Sequence, residues 1–233
     1  MNNTTPRKPL CLIPARGGSK RIPRKNIALL GDRPLLAWTI SPALESNLFG
    51  AVYVSSEDEE ILSVAQHYGA EPIHRVASLA EDNSTLLELC VEIVPSLAAV
   101  TKATDLYLLT PTSPFRTAQT MRRAWKEYLA RGNDSLISVE PFDYPPQWAL
   151  TLHDERLKPL FPELYETPRP HLEPALKHDG GHIIAKISRL MEERSFFCRN
   201  AHPFFVPQEE RLDIDHPHDL ERAKSILEHI NQK

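Results

Sequence analysis

The sequence predicts an α/β fold in which helices flank a doubly wound, mostly parallel sheet. Short apolar runs of strand length alternate with longer segments whose apolar residues recur at helical spacing. A basic, glycine-containing loop directly follows the first apolar run, as expected at the carboxyl edge of such a sheet. The chain has 233 residues, enough for one large domain or for one domain with a sizeable insertion.

The amino-terminal part of the chain alternates between predicted strands and helices. Residues 10–14 form an apolar run that predicts a buried strand, and residues 34–46 carry apolar side chains that fit a helix on the sheet. The short β-branched segment 51–55 predicts the second strand. Ser56 is expected to cap the next helix, whose first turn is acidic and which ends at Gly69.

The same alternation continues to the end of the chain. Residues 71–74 form a brief extended segment, and Asn83 or Ser84 is expected to cap the helix that follows. The remaining predicted strands are 105–109, 135–139, 181–185 and 204–206, and the remaining predicted helices are 86–97, 117–131 and 217–229. We expect a single domain over residues 9–230, preceded by a flexible segment at residues 1–8.

Prolines interrupt this pattern between residues 141 and 175. The chain has 21 prolines, and many of them lie in this stretch. Because proline lacks an amide proton and fixes φ, the stretch cannot be regular helix or central strand throughout. We expect an irregular excursion from the main domain.

The composition excludes several classes of protein. A net charge of −4 argues against broad binding of nucleic acid, because no excess of cations exists to replace counterions. The three cysteines are widely spaced and form neither a metal-ligand pattern nor a disulfide framework, so buried thiols in a reducing cytoplasm are expected. The amino terminus lacks the apolar core of a signal peptide, and no apolar run approaches the ~20 residues that span a bilayer. The composition therefore predicts a soluble cytoplasmic protein that binds neither nucleic acid nor membrane.

Residues 13–26 carry the strongest chemical signal in the sequence. They include the adjacent Gly17 and Gly18, a serine and five cationic side chains. Glycine lets the backbone approach a ligand with free N–H donors, while Arg and Lys neutralise phosphate. The spacing fits neither the P-loop nor the dinucleotide fingerprint, and the excess of cations favours a triphosphate. Arg16 and Lys20 are expected to clamp the phosphates and stabilise departing pyrophosphate; the alternative is a solvated basic turn.

Asp213 and Asp215 flank a single apolar residue near the carboxyl terminus. In an extended segment this alternation directs both carboxylates to one side and buries Ile214 on the other. Two hard oxygen ligands on one face suit Mg²⁺ that is shared with phosphate oxygens. The alternative is that Asp215 or its neighbour caps a helix that begins with Pro217, although capping alone would not require Asp213.

Two further stretches are candidates for substrate contacts. Residues 109–116 end a predicted strand in a stiff turn whose prolines enclose hydroxyl side chains, and such a turn can contact a base, a ribose or a sugar. A rigid turn that caps the next helix would have the same sequence. Residues 178–182 contain two histidines and an aspartate without the spacing of zinc sites, so a substrate-contacting loop or a solvated turn is expected.

These motifs resemble, in the same order, those of the CMP-nonulosonic acid synthetases, the family of acylneuraminate and pseudaminic acid cytidylyltransferases. The segments that carry the resemblance are 13–26, 54–61, 74–82, 109–116 and 213–215. The resemblance implies a Rossmann-like nucleotidyltransferase fold with an inserted dimerisation element, for which residues 141–175 are the natural candidate. It also implies a homodimer.

The resemblance further implies a reaction and a set of site residues. CTP and a 2-keto sugar acid give the CMP-sugar and pyrophosphate with Mg²⁺, as the anomeric hydroxyl attacks the α-phosphate in line. The residues implied at the nucleotide are Ala15, Arg16, Gly17, Gly18, Ser19, Lys20, Lys25, Asn26, Arg75 and Ser84. The residues implied in catalysis are Arg16, Lys20, Asp213 and Asp215, of which the two aspartates hold the metal. The residues implied at the sugar are Thr110, Thr112, Ser113, His178, Asp179, His182, Phe196 and Phe197. The two phenylalanines would act from the partner subunit; plain core packing is the alternative.

Two departures from the sialic acid pattern bear on the choice of sugar. Thr110 stands where sialic acid enzymes usually have Gln, and residues 179–182 replace their usual Asn-Gly-Ala and apolar strand. Segments 139–150 and 168–175 resemble the pseudaminic acid branch, which lacks that Gln. Pseudaminic acid is therefore the favoured substrate. The alternatives are sialic, legionaminic or Kdo acid, or a non-catalytic nucleotide-binding homologue.

Overall fold

The structure, a computed structural model, describes residues 8–231 of the chain. Its strands are β1 (Leu10–Pro14), β2 (Leu29–Leu30), β3 (Arg33–Pro34), β4 (Val52–Ser56), β5 (Glu71–His74), β6 (Asp105–Leu109), β7 (Ser135–Pro141), β8 (Leu150–His153), β9 (Arg156–Pro159), β10 (Leu176–Lys186) and β11 (Ala201–Phe205). Its helices are α1 (Ala37–Glu45), α2 (Glu59–His67), α3 (Leu86–Thr101), α4 (Ala118–Arg131), α5 (Ile187–Glu193) and α6 (Pro217–Asn231). Apart from Lys8, the segment 1–8 that we expect to be flexible lies outside the described residues.

Seven strands of the described chain form one sheet in the order β11-β7-β10-β6-β1-β4-β5. Strands β6, β1, β4 and β5 pair in parallel, and β11 pairs in parallel with β7. Strand β10 runs antiparallel to both of its neighbours, β6 and β7. The predicted α/β fold with a mostly parallel sheet is confirmed.

The reversal of β10 follows from the way the chain reaches it. After β7 the chain leaves the sheet and returns to it without a crossover helix. Strand β10 therefore begins beside the end of β7 and runs in the opposite direction. The pairing between β7 and β10 shifts register between His178 and Ile183. This irregularity lies beside the carboxyl end of β6, where His182 pairs with Leu109.

Apolar side chains fill both faces of the sheet. Leu12 and Ile13 are both fully buried and lie in different clusters, as alternation along a strand requires. One cluster packs α1, α2 and α4 on the sheet, and the other packs α3 and α5. A third cluster packs α6 against Leu30 and Ile214, which fixes the carboxylate segment beside the sheet.

The helix caps differ from the predicted ones. Ser56 belongs to β4, and the side chain of Asp58 caps α2 by accepting from the N–H groups of Glu60 and Ile61. At α3, Thr85 forms a capping box with Glu88, so neither Asn83 nor Ser84 is the cap. The short helix α5 was not among the predicted elements.

The proline-rich excursion contains a separate hairpin. Strands β8 and β9 pair antiparallel from Leu150 opposite Pro159 to His153 opposite Arg156, outside the main sheet. None of the described helices is long and apolar enough to cross a membrane.

Candidate active site

A pocket of about 300 Å³ opens at the carboxyl edge of the sheet, where β1, β5 and β6 end. Parallel strands place their following loops side by side at this edge. The predicted site residues that line the pocket are Arg16, Ser19, Lys25, Asn26, Arg75, Ser84, Thr110 and Thr112. The structure therefore brings the basic loop, the segment after β5 and the turn after β6 to one cavity.

An acidic turn, residues 57–60, holds the basic loop in place. The N–H of Gly17 donates to Oε1 of Glu57 at 2.7 Å, and a Cβ at Gly17 would lie 2.7 Å from Oδ2 of Asp58. Arg24, in a left-handed conformation with φ of 53°, donates to Asp58 at 2.9 Å and to Glu60 at 2.8 Å. The prediction of a free N–H at Gly17 is thus wrong, because the protein itself uses that amide.

The neighbouring residues of the loop differ in how open they are. Ala15 is fully buried and extends the β1–β4 ladder through its N–H, which donates to the carbonyl of Ser55 at 2.9 Å. Gly18 is exposed, and no heavy atom of the described chain outside its immediate neighbours lies within 4 Å of a Cβ built there. Gly18, rather than Gly17, is the glycine whose backbone a ligand can approach.

Two cations of the basic loop share one carboxylate at the rim of the pocket. Nη1 of Arg16 lies 3.4 Å from Oδ1 of Asp82, and Nζ of Lys20 pairs with Oδ2 of the same residue. The hydrogen bond from Lys20, together with the charges of both cations, holds the pKa of Asp82 below its usual value despite some desolvation. Exposed ion pairs contribute little to stability, so phosphate oxygens can replace Asp82.

Asn26 and Arg75 form the buried wall of the pocket. Nδ2 of Asn26 donates to the carbonyl of Arg16 at 2.8 Å, while its Oδ1 is buried without a partner among the described residues. Arg75 donates from Nε and Nη2 to Oε2 of Glu57 at 3.1 and 2.9 Å. One Glu57 carboxylate therefore fixes both Gly17 and Arg75. Sequence reasoning missed this role of Glu57.

Asp213 and Asp215 are exposed on either side of a buried Ile214, which is the alternation expected from the sequence. Ile214 is fully buried, and its N–H donates to the carbonyl of Thr112 at 2.9 Å. Nζ of Lys25 donates to the carbonyl of Ile214 at 2.7 Å and to Oδ1 of Asp215 at 3.0 Å. Lys25 thereby ties the basic loop to the carboxylates.

The capping alternative for Asp215 does not match the contacts. Oδ2 of Asp219 accepts from the N–H groups of Asp215 and His216 at 3.0 and 2.7 Å at the start of α6. The carboxylate of Asp215 instead pairs with Lys25 and, at 3.3 Å, with Arg21. These cations hold its pKa below the usual value even though desolvation opposes them.

Asp213 is exposed to solvent, although neighbouring protein surrounds part of its side chain. Desolvation by the surrounding protein raises the pKa of this carboxyl, against a hydrogen bond with Thr112, and the charge of Asp215 raises it further. Among the described residues no three His, Cys, Asp or Glu side chains group as metal ligands. A pair of carboxylates beside a cationic pocket fits Mg²⁺, which takes one or two protein carboxylates and completes its shell with phosphate and water.

The turn after β6 and the loop at the start of the β10 irregularity are joined. Thr110 donates from its hydroxyl to the carbonyl of Gly180. Arg116 donates to the carbonyl of Thr110 at 3.1 Å and to that of Gly181 at 2.6 Å. Oδ1 of Asp179 accepts from the N–H of Gly181 at 2.8 Å. Sequence reasoning also missed Arg116, although it ends the turn motif.

Several predicted sugar-site side chains do not line this pocket. Ser113 and His182 are 4% and 1% exposed. Nδ1 of His182 forms a buried hydrogen bond of 2.8 Å with the hydroxyl of Tyr107. Burial and the charge of Arg116 hold the pKa of His182 well below its usual value. The prediction that Ser113 and His182 contact the sugar does not match this placement, because both side chains are buried. His178 is exposed on β10.

The two phenylalanines lie after α5, on the side of the sheet that α3 and α5 cover. Phe196 is partly buried and packs against the cluster beneath α3 and α5. Phe197 is 70% exposed. Within one described chain neither lines the pocket.

Comparisons with known proteins found similar sequences that span nearly the whole chain. The profile of a family described as Cytidylyltransferase matches residues 10–228. CMP-N,N'-diacetyllegionaminic acid synthase of Legionella pneumophila is 34% identical over 229 residues, covering 96% of this chain and 97% of the relative. Pseudaminic acid cytidylyltransferase of Campylobacter jejuni is also 34% identical over 229 residues, covering 97% of this chain and 98% of the relative.

A solved structure shares the fold. It is a CMP:2-keto-3-deoxy-manno-octonic acid synthetase complexed with CTP, with a TM-score of 0.68 at 17% identity over 96% of this chain and 99% of that one. The resemblance to cytidylyltransferases drawn from the sequence motifs is confirmed.

Proposed function

The chain belongs to the cytidylyltransferase family, and from that premise we propose that it joins CTP to a nonulosonic acid, giving the CMP-sugar and pyrophosphate. The reaction class is nucleotidyl transfer. Use of CTP and three free thiols favour the cytoplasm as its compartment.

One contact supports the proposal most directly, the pairing of Lys25 with Asp215 and the carbonyl of Ile214. Through it, the cations of the basic loop and the carboxylate pair become neighbours at the rim of one pocket. A nucleoside triphosphate needs this combination, because cations bind its phosphates and carboxylates hold the metal that accompanies them.

The proposed chemistry assigns a task to each group. The anomeric oxygen of the sugar acid forms a bond to the α-phosphorus and gives up its proton to solvent. The bond from that phosphorus to the bridging oxygen breaks, and pyrophosphate leaves. Arg16 and Lys20 leave Asp82 for the β- and γ-phosphates and stabilise the charge that develops on the leaving group. When bound at Asp213 and Asp215, Mg²⁺ supplies neutralisation and alignment of the phosphates.

Arg75, Asn26 and Ser84 are proposed to contact the nucleoside. All three line the pocket. Glu57 accepts hydrogen bonds from Nε and Nη2 of Arg75, and these two bonds fix the orientation of the Arg75 guanidinium. The buried Oδ1 of Asn26, which has no partner within residues 8–231, supplies a hydrogen-bond acceptor beside them. Rigid polar groups of this kind are suited to selecting one base.

The choice of sugar is a finer proposal, and pseudaminic acid remains favoured. The two relatives named above are equally identical to this chain and differ in the sugar of their names, so overall identity does not separate the substrates. Thr110 is small and engaged with Gly180, which leaves more room at the pocket than a Gln would. This supports a sugar acid with bulky substituents.

A substrate panel tests both levels of the proposal. Purified protein receives CTP, Mg²⁺ and pseudaminic, legionaminic, sialic or Kdo acid, and the CMP-sugar is detected by mass. We expect product with pseudaminic acid at the highest kcat/KM. Faster turnover of another acid would overturn the sugar assignment alone, whereas no product with any acid would overturn the function.

We also propose that residues 141–175 form the contact of a homodimer. This excursion exposes large apolar side chains, among them Leu152 at 68% and Leu157 at 67%, and exposed apolar groups in one region mark interfaces. In a dimer, the exposed Phe197 would be available to the partner's sugar site. Replacing Leu152 and Leu157 by Asp should yield monomers in light scattering, whereas Asp at Val100, which is 80% exposed on α3, should not. Unchanged mass in both variants would contradict the interface.

A further inference from the structure

A small cavity lies between the turn after β6, the loop at Asp179 and the start of α4. Its volume is about 10 Å³, and its wall residues are Ser113, Arg116, Asp179, Gly181, His182, Val206, Glu210 and Arg211. It is separate from the nucleotide pocket, with which it shares no lining residue. Nothing in the proposed reaction uses it.

Three polar atoms of this wall are buried without a partner among the described residues. They are Oγ of Ser113, Nε of Arg116 and Oδ2 of Asp179. Ser113 and Arg116 are each only 4% exposed. The three atoms comprise a hydroxyl, a charged donor and a charged acceptor, which together can satisfy one small polar molecule.

The other polar side chains of the wall already have partners. Glu210 accepts from the hydroxyls of Thr117 and Thr120 at 3.0 and 2.7 Å. Nε of Arg211 donates to the carbonyl of Val206 at 2.7 Å. The unmet hydrogen-bonding capacity is therefore concentrated on Ser113, Arg116 and Asp179.

Physical chemistry limits what can occupy this cavity. Buried polar groups without hydrogen bonds are strongly unfavourable, and native proteins pair nearly all of them. A polar cavity of roughly 10–15 Å³ holds one water, which needs two to four polar partners. The cavity at Arg116 meets both conditions and is too small for a substrate or a buffer ion.

We propose that Ser113, Arg116 and Asp179 bind one buried water, and that Arg116 uses it to position the turn 110–113 against the loop 179–181. The water accepts from Nε–H of Arg116 and donates to Oδ2 of Asp179 and to Oγ of Ser113. The other nitrogens of Arg116 hold the carbonyls of Thr110 and Gly181. Burial lowers the pKa of Arg116 to about 10, which leaves it a cation at neutral pH.

Arg116, the proposed water, the turn 110–113 and the loop 179–181 together form a brace, and this brace positions residues on the sugar side of the site. Its turn carries Thr110 and Thr112, the two predicted sugar contacts that line the pocket, and its loop carries Gly180, whose Cβ would lie 3.4 Å from the carboxylate of Asp213. Arg116 is thus a positioning residue that acts through the turn and the loop. This functional part rests on the proposed function, whereas the water site itself does not.

A high-resolution crystal structure of the full chain tests the water site without any substrate. We expect one ordered peak at 2.7–3.2 Å from Nε of Arg116 and within hydrogen-bond distance of Asp179 and Ser113. An empty cavity, or direct hydrogen bonds among these three side chains that close it, would overturn the proposal.

Kinetics test the positioning role. Ser113→Ala removes one partner of the water. Ser135→Ala is the matched control, because Ser135 is also buried but begins β7 and does not line the cavity. We expect Ser113→Ala to raise KM for the sugar acid about five- to tenfold while the Kd for CTP, titrated alone, stays within about twofold. Ser135→Ala should change neither the KM for the sugar acid nor the Kd for CTP.

A double variant separates the brace from direct contact of Ser113 with the sugar. Arg116→Lys keeps the charge but removes Nε–H together with the Nη donors to the carbonyls of Thr110 and Gly181. If Ser113 and Arg116 act through one water, adding Ser113→Ala to Arg116→Lys should raise KM no further. Additive effects, or an unchanged KM in Ser113→Ala, would refute the positioning role. If no acid is turned over at all, the proposed function fails and the crystal structure still decides the water site.

Discussion

Replacing Glu57 by Gln removes one negative charge from the wall of the nucleotide pocket and changes little in shape. In the native protein the Glu57 carboxylate accepts from Gly17 at 2.7 Å and from Arg75 at 3.1 and 2.9 Å. The Arg75 side chain is 4% exposed and that of Glu57 is 20% exposed. The substitution therefore leaves a buried guanidinium with a neutral partner whose amide group must face one of the two donors.

The expected loss of stability follows from these contacts. Hydrogen bonds to charged groups contribute about 1.5–3 kcal/mol each, and removing one partner of a fully buried pair costs about 3–5 kcal/mol. Because water reaches part of Glu57 and the Gln keeps an acceptor, we expect a loss of about 2–3 kcal/mol. For a chain of this size that corresponds to a decrease in Tm of about 5–10 °C.

Thermal unfolding and CTP titration measure the two consequences. Glu57→Gln should lower Tm by the stated amount and raise the Kd for CTP about tenfold, since Gly17 and Arg75 lose their fixed positions. Glu59→Gln is the control on the same acidic turn, where the side chain is 82% exposed and pairs with the exposed His74. Its stability should change by less than about 0.5 kcal/mol. Equal effects of the two variants would refute the role of Glu57, as would a double-mutant cycle with Arg75→Met that shows no coupling.

Three further outcomes follow from the same site. Gly17→Ala should destabilise the protein, because its Cβ would lie 2.7 Å from Asp58, whereas Gly18→Ala should leave Tm unchanged and weaken only CTP binding. Asp82→Asn frees Arg16 and Lys20 and should lower the Kd for CTP; weaker binding in calorimetry would contradict the exchange of Asp82 for phosphate. Asp215→Asn should lose turnover at all Mg²⁺ concentrations with its circular dichroism intact, and removal of Mg²⁺ by EDTA should stop the native enzyme reversibly; activity in EDTA would exclude the metal.

Local patterns were enough to predict the strands and the basic loop. The strand at Leu10–Pro14 and the carboxylate pair Asp213 and Asp215 could be predicted, because apolar runs and alternation are patterns of only a few consecutive residues. The antiparallel direction of β10 could not be predicted, since it depends on where the proline-rich excursion returns to the sheet. The cap of α2 was displaced from Ser56 to Asp58 because the strand before it runs one residue further than predicted.

Long-range contacts explain the remaining differences. The amide of Gly17 is used by Glu57, which lies 40 residues away, and no pattern around the loop reveals that pairing. His182 is among the predicted sugar contacts, but its ring pairs with the hydroxyl of Tyr107, 75 residues away on the neighbouring strand. Arg116 gains its role only when the turn meets the loop at Gly181. Contacts of this kind require the fold.

Transfer of the CMP unit is the central claim, and the fate of the α-phosphorus of CTP tests it most directly. The enzyme receives CTP labelled at the α-phosphorus, a nonulosonic acid and Mg²⁺, and the products are separated. Attack on the α-phosphate predicts that all converted label is found in the CMP-sugar, with one unlabelled pyrophosphate released for each. Label in free CMP without CMP-sugar, or release of inorganic phosphate in place of pyrophosphate, would contradict the account.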